Sequence, residues 1–542
     1  MEVASLKNLE SMPEDRFAST CSSIMSGVIT VLLVLLAAIF PLYIENAYFN
    51  IIQAKYRFYY VSILVTAIIL LVLALIMLFI DLREFQGEHC KKLLSRFAPA
   101  NIRHTFFVSD VAVLVYWFSC VISTLQSEYL YESFWGNEGR FCGLFLITLY
   151  VFFYFIVTRL WKPQKWILEL FLISGVILCL IGITDYFKMD IFHFRDHISK
   201  KQANIFTSTI GNINTYTAYI ALLIGYVSCM FAKSRRFLSS LWYYSCYVIS
   251  VFAIIMGCSD NAYLALGMLF AFLPFYLFQS RQGIVRYLTL GASFITVVLC
   301  VSFINQIYGD AVLGIDGLFN ILTNIRALPI ITVFIWFIVL AFSYFTKKKA
   351  DDSSEYLADK KLTRIWGIFI LAIFIVIVFL LVDANALQHG SRYGGLGTYL
   401  VFSDSWGTNR GYIWRKSLEL YHSFPLMHKL FGYGPDTFGI MTTQRFRQEM
   451  IDATGQVFDN AHNEYLQLLL TVGPIGTIAY IVFILRSCRD MLKATAKSPI
   501  VLACAVAVLC YFCQAVVNLN VPLVTPSMWM LLSVGLVIAR TE

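Results

Sequence analysis

A chain of 542 residues with 59% hydrophobic and only 14% charged side chains is too apolar for a water-soluble protein and long enough for many membrane crossings. Its formal net charge of +8 would point to nucleic acid in a soluble protein, but here it has to be read loop by loop, because Lys and Arg orient membrane helices. Composition thus excludes a soluble enzyme and a nucleic-acid partner, and leaves an all-α polytopic protein embedded in membrane lipid.

Ile24–Ile44, Tyr59–Ile80 and Ile365–Val382 are the clearest apolar runs, and the same window predicts about fourteen spans joined mostly by short polar connections. The first run lacks the small-residue cleavage site of a signal peptide and is kept as a helix. With Met1 inside, the inner loops hold clusters such as Arg83, Lys91, Lys92, Arg96 and Arg103, or Arg159, Lys162 and Lys165. The short outer loops hold few basic residues: Lys55, Arg57, Arg140, Lys188, Arg195, Lys200, Lys201 and Arg326. This bias predicts that both termini are cytoplasmic. The run KKKADDSSEYLADKKLTR, Lys347 to Arg364, reads as a solvated inner linker with charge facing the membrane. The 13 cysteines fall mostly in apolar runs, where a thiol behaves as a small hydrophobe. Cys510 and Cys513 form a CxxC inside a span and without a second pair, so ordinary packing is expected of them.

The chain then divides into residues 1–383, carrying spans 1–11; a large outer loop over 384–463; and residues 464–542, carrying spans 12–14. Loops that keep aromatic residues and arginines are often functional. Within this one, TNRGYIWRKSLELYHSFP predicts a short helix with Thr408 as N-cap and Pro425 beyond its end, placing Arg410 and Trp414 on one face. FGYGPDTFG, Phe431 to Gly439, predicts a tight turn with close backbone approach. TTQRFRQEM, Thr442 to Met450, predicts a second basic helix. The loop's Tyr and Trp side chains can stack on sugars or anchor the membrane interface.

His462 sits where the loop meets the next span. It can act as a base on an attacking hydroxyl or simply cap the helix start, with Asp459, Asn460, Asn463 and Glu464 as orienting partners or caps. Arg140, Arg410, Arg445 and Arg447 stand on the outer face against the orientation bias. A guanidinium fork suits phosphate oxygens; the alternatives are snorkelling or a structural ion pair, with Glu138 a neighbour for Arg140. Asp110, Glu169 and Asp185 fall near the ends of spans, which argues against a proton path through the membrane centre. P-loop, HExxH and DxD signatures are missing, and no cytosolic domain is large enough for a sugar nucleotide, so a transferase here needs a membrane-borne donor.

GRFCGL (Gly139–Leu144), GNINTYTAYI (Gly211–Ile220), CSDNAY (Cys258–Tyr263), NRGYIW (Asn409–Trp414), LFGYGPDTF (Leu430–Phe438) and AHNEYLQLLLTVGPIG (Ala461–Gly476) occur in order. As a set they resemble the bacterial O-antigen ligase and O-antigen polymerase superfamily of membrane glycosyltransferases. Two departures matter. Asp260 stands where many relatives carry arginine after the serine, so no phosphate contact is assigned there, and Thr471 stands where relatives often carry an acid.

The resemblance implies a class C glycosyltransferase-like fold in the bacterial cytoplasmic membrane, with its site on the extracytoplasmic side. It implies a polyprenyl-pyrophosphate-linked glycan as donor and a hydroxyl on a glycan, lipid or protein as acceptor. His462 would be the catalytic base, with Arg140 and Arg410 binding the donor pyrophosphate. Asn212, Asn214, Trp414, Tyr433, Asn463, Tyr465, Arg445 and Arg447 are supporting or substrate-contact candidates. Neither a metal nor another cofactor is expected, because guanidinium groups can supply the positive field. The charge-derived topology independently puts Arg140, Asn212, Ser259, Arg410 and His462 on one face. Ligase and polymerase share this chemistry; a protein-glycosylating transferase and a lipid-linked oligosaccharide flippase are the competing readings.

Overall fold

The computed structural model describes residues 14–96, 98, 101, 105–196, 198–199, 202–348 and 361–541. Residues 349–360 of the basic linker, and Arg103, Lys200 and Lys201 of the charge pattern, lie outside the described residues.

Apolar runs have become helices because, in hydrocarbon, each backbone N–H and C=O must be satisfied within its own segment. The first half comprises α1 (Glu14–Val34), α2 (Ile51–Glu84), α3 (Glu88–Ser95), α4 (Val108–Leu125), α5 (Leu130–Trp135), α6 (Leu144–Leu160) and α7 (Ile167–Tyr186). A two-stranded antiparallel ribbon follows, β1 (Phe206–Thr207) with β2 (Gly211–Asn212). Then come α8 (Ile213–Lys233), α9 (Phe237–Met256), α10 (Asn261–Phe272), α11 (Pro274–Leu277), α12 (Arg281–Tyr308), α13 (Gly317–Thr323), α14 (Leu328–Lys348) and α15 (Lys361–Asn385). The large loop carries α16 (Gly397–Leu400), α17 (Trp406–His422), α18 (Leu426–Phe431) and α19 (Phe438–Thr454). The chain ends with α20 (Glu464–Lys493), α21 (Pro499–Gln514) and α22 (Thr525–Thr541).

Among the described residues, eleven helices are long and apolar enough to cross a membrane. Two shorter apolar helices, Leu144–Leu160 and Asn261–Leu277, and the C-terminal α22 occupy the remaining places where the sequence predicts spans. The protein is an all-α polytopic integral membrane protein.

Burial varies widely among these helices. The apolar window of α8 is 100% buried and that of α15 is 0% buried. Small residues make the central packing possible: a Cβ on Gly225 of α8 would lie 2.7 Å from the Cα of Ala507 in α21, so the two backbones meet directly. By contrast α15 leans on the bundle near its start, where Trp366 Nε1 donates to the Ala271 carbonyl at 2.8 Å.

Lys55 is not a loop charge. The second span begins earlier than its apolar run, and the fully buried ammonium donates to the Phe40 and Pro41 carbonyls at 2.8 and 3.0 Å, capping the preceding helical segment. The acids near span ends are all engaged. Asp110 pairs with Arg159 and accepts from the Tyr154 hydroxyl at 2.5 Å; Glu169 accepts from the Tyr243 hydroxyl at 2.6 Å; Asp185 accepts from the Ser208 backbone at 2.6 Å.

The large loop has an apolar core of its own, including Tyr412, Ile413, Phe438, Phe446 and Phe458. Its helices differ in detail from expectation. Thr408 is not an N-cap: Gly407, Thr408 and Asn409 are all left-handed, and regular helix resumes at Arg410. The basic segment is part of a longer helix, α19. The glycine turn is as tight as expected. A Cβ on Gly432 would sit 2.3 Å from the Thr471 backbone, and one on Gly434 would sit 2.0 Å from Ser133 Oγ.

Candidate active site

The segment before α20 is tied down residue by residue. Asn463 caps the helix, its side-chain oxygen accepting from the Tyr465 and Leu466 backbones at 3.1 and 3.0 Å. The Ala461 backbone donates to Gln467 Oε1 at 3.0 Å and its carbonyl accepts from Trp414 Nε1 at 2.8 Å. The His462 backbone donates to Asn460 Oδ1 at 2.8 Å. Between these fixed points His462 adopts φ 49°, a left-handed conformation that costs a non-glycine residue free energy and persists only because its neighbours hold it.

His462 thereby faces a cleft of about 610 Å³, whose walls include Asn214, Ser259, Asp260, Asp316, Arg410 and Asp459. Among the described residues neither ring nitrogen has a hydrogen-bond partner. Burial, then the Arg410 and Arg140 charges, depress its pKa to about 4, with Asp459 opposing them. The imidazole is therefore neutral, with a nitrogen lone pair free, throughout the physiological range.

The two arginines differ in availability. Arg410 donates one bond, from Nη1 to the Gly407 carbonyl at 3.1 Å; its buried Nε has no partner, and among the described residues it forms no ion pair. Burial lowers its pKa, and the charge of Asp260 partly restores it. Arg140 is committed: Nε and Nη2 reach Asp459 at 3.0 and 2.8 Å. The partner is Asp459 rather than Glu138, which is exposed. Burial works against the Arg140 charge, but Asp459 outweighs it and the pKa is raised.

Asp436, left-handed at φ 62°, links the glycine turn to the segment bearing Arg140: one carboxylate oxygen accepts from the Asn137 and Cys142 backbones at 2.7 and 2.9 Å. Burial raises its pKa to about 7 against the pull of those two bonds.

Beneath the cleft lies a buried polar network. Asn214 Oδ1 accepts from Ser259 Oγ at 2.6 Å, while its carbonyl accepts from Asn261 and Asn518 side chains at 2.8 and 2.9 Å. Gln514 Oε1 accepts from the same two amides at 3.0 and 2.6 Å. These shared bonds fix the ends of α8, α10 and α21 relative to one another, with Gln514 Nε2 left buried and without a partner. Asn212 caps α8 by accepting from the Asn214 backbone at 2.8 Å.

Other candidates lie elsewhere. Tyr433 stacks on His428 at 3.9 Å between ring centroids, inside the loop core. The Tyr465 hydroxyl donates to the Phe512 carbonyl at 2.5 Å, turned toward α21. Arg445, bonded to Ser423 Oγ at 2.5 Å, and Arg447 are exposed on α19 and do not line the cleft. Conversely, Asp260, Asp316, Gln514 and Asn518 carry no individual site signal in the sequence beyond being polar residues at the edges of apolar runs. No group of three or more His, Cys, Asp and Glu among the described residues is arranged to hold a metal ion.

Fold and site thus define a polytopic membrane protein whose polar cleft lies where a folded loop meets the helical bundle. Residues 311–481, which include the large loop, Arg410 and His462, match the family model described as O-antigen ligase. This match, over less than half of the chain, supports a likeness to the O-antigen ligase/polymerase superfamily of membrane glycosyltransferases. Arg140, Asn214 and Asp260 lie outside the matched stretch. No curated protein matches the chain.

Proposed function

We propose that the protein transfers a glycan from a polyprenyl-pyrophosphate carrier to an acceptor hydroxyl at the outer face of the bacterial cytoplasmic membrane, with both termini in the cytoplasm. The observation that carries this reading is one cleft holding a neutral histidine and an arginine without an ion-pair partner. Arg410 binds the pyrophosphate and stabilises the charge that grows as the carrier departs, with Arg140 adding to the field. The acceptor oxygen attacks the anomeric carbon, His462 takes its proton, and the bond from that carbon to the pyrophosphate oxygen breaks. The guanidinium groups supply the positive charge, so the reading calls for neither a metal nor another cofactor.

A base with a pKa near 4 is weak; burial is the larger cause, and donor binding relieves the smaller one, the Arg410 charge. Pyrophosphate charge beside Arg410 cancels the repulsion that disfavours imidazolium, so His462 gains basicity when the donor is in place.

The test is the mass profile of polyprenyl-pyrophosphate-linked glycans in a strain lacking the protein, compared with strains expressing wild type or His462→Ala. Accumulated single repeats that only wild type clears identify a polymerase; accumulated long chains identify a ligase. Absence of accumulation, or clearance by His462→Ala, rejects the mechanism.

A further inference from the structure

On the other side of Arg410 lies a second cleft, of about 700 Å³, sharing Asp260, Gly407, Thr408 and Arg410 with the first. Its loop wall is aromatic. Trp406 and Trp414, 5.3 Å apart between ring centroids, line it, and Phe402 stands against both at 5.7 and 6.1 Å without lining the cleft. Both indole N–H groups are consumed by backbone carbonyls, Trp406 on Tyr399 at 3.0 Å and Trp414 on Ala461 at 2.8 Å, which fixes the ring planes. Phe402 nevertheless leaves 51% of its surface exposed, although two large rings stand beside it.

We propose that Trp406 and Trp414, braced by Phe402, form a platform for a pyranose ring of the donor glycan; this rests on the glycosyl-transfer reading above. A pyranose presents an apolar C–H face and an equatorial ring of hydroxyls. The platform meets the first with fixed aromatic faces, and the side chains of Thr398, Ser403, Ser405 and Thr408 stand around it to meet the second. The carrier's hydrocarbon does not suit this wall, since it would desolvate those hydroxyls without replacing their bonds. The opposite wall sets Asp260 and Tyr263 beside Leu264 and Val516, so polar groups for the sugar hydroxyls line the cleft on that side as well. The ligand is assigned to the donor because Trp414 lies one helical turn beyond Arg410. A pyrophosphate on the guanidinium therefore sets the attached glycan beside the rings, whereas the acceptor approaches His462 from the first cleft.

The test uses purified full-length protein in lipid nanodiscs, with lipid-linked glycan extracted from the deletion strain as donor and sugar-free undecaprenyl pyrophosphate as competitor. Phe402→Ala and Trp406→Ala should each raise the donor KM about three- to tenfold. Trp406→Phe, which keeps a flat ring, should recover most of that loss. Inhibition by the sugar-free competitor and the acceptor KM should stay at wild-type values. An unchanged donor KM, a shift in the acceptor KM, or a parallel weakening of the sugar-free competitor overturns the platform. If wild type itself neither transfers glycan nor is inhibited by sugar-free undecaprenyl pyrophosphate, the glycosyl-transfer reading has failed and the platform falls with it.

Discussion

Arg140 and Arg410 reach the same histidine from two differently built regions. Arg140 stands on a short connection between α5 and α6, its fork closed by Asp459 and the backbone on either side of it, at Asn137 and Cys142, pinned by Asp436. Arg410 begins the regular part of α17 after three left-handed residues, its fork open toward a cleft. A guanidinium already holding a carboxylate bidentately has little left for an incoming anion, whereas a buried one with an unpartnered nitrogen is stabilised by that anion. Equal formal charge therefore conceals unequal availability: in the proposed mechanism Arg410 receives the donor, while Arg140 positions Asp459 and tunes the field at His462.

The sharpest way to break this contrast is at Arg410. Arg410→Ala is expected to lower kcat/KM by roughly 100- to 1000-fold, the scale for removing a preorganised charge donor. Arg410→Lys should recover only part, since it restores charge but not the planar fork. Next comes Arg140→Ala, expected to lower transfer in isolated membranes about tenfold. Because that variant leaves Asp459 unneutralised near His462, adding Asp459→Ala should cost less than Asp459→Ala costs alone, with a coupling of about 1 kcal/mol. Additive losses would mean that the pair does not act as a unit.

Smaller effects should appear in pH profiles. In the free protein His462 stays neutral down to about pH 4, so the acid limb of kcat/KM belongs near there. Bound pyrophosphate raises the histidine pKa, so the acid limb of kcat should lie at higher pH. Coincident limbs would contradict coupling between donor charge and base. Least coupled to transfer is Asp436→Asn, whose effect falls on stability and which keeps an oxygen for both backbone donors. Wild-type Asp436 titrates near 7 when folded and near its ordinary 3.8 when unfolded, so its contribution to stability is complete below pH 4 and is lost as pH rises toward 7. The variant's thermal midpoint should lack that decline.

Hydropathy made most of the bundle legible, because a lipid-facing helix such as α15 states its environment in every residue. The turn at Gly432 and Gly434 was equally readable, since glycine tolerates both the conformation and the close approach. Pairing was not. Glu138 is the acid two residues from Arg140 and the obvious local guess, yet Asp459 lies 319 residues away in sequence and arrives only through the fold. Thr408 failed as a cap because a helix-start signal cannot reveal three left-handed residues. Gln514 and Asn518 were invisible for another reason: a single amide at the edge of an apolar run gains meaning only when Asn214 and Asn261 come to meet it.

The large loop is suspended from unequal supports. It is entered from α15, whose apolar window is 0% buried, and left through α20, whose window is 56% buried against the bundle. Arg410 and His462 are nonetheless held to each other by the loop's own core, where Trp414 is bonded to the Ala461 carbonyl beside the histidine. A change in the tilt of α15 would therefore be taken up in the chain ahead of Trp406, and Arg410 and His462 would keep their spacing.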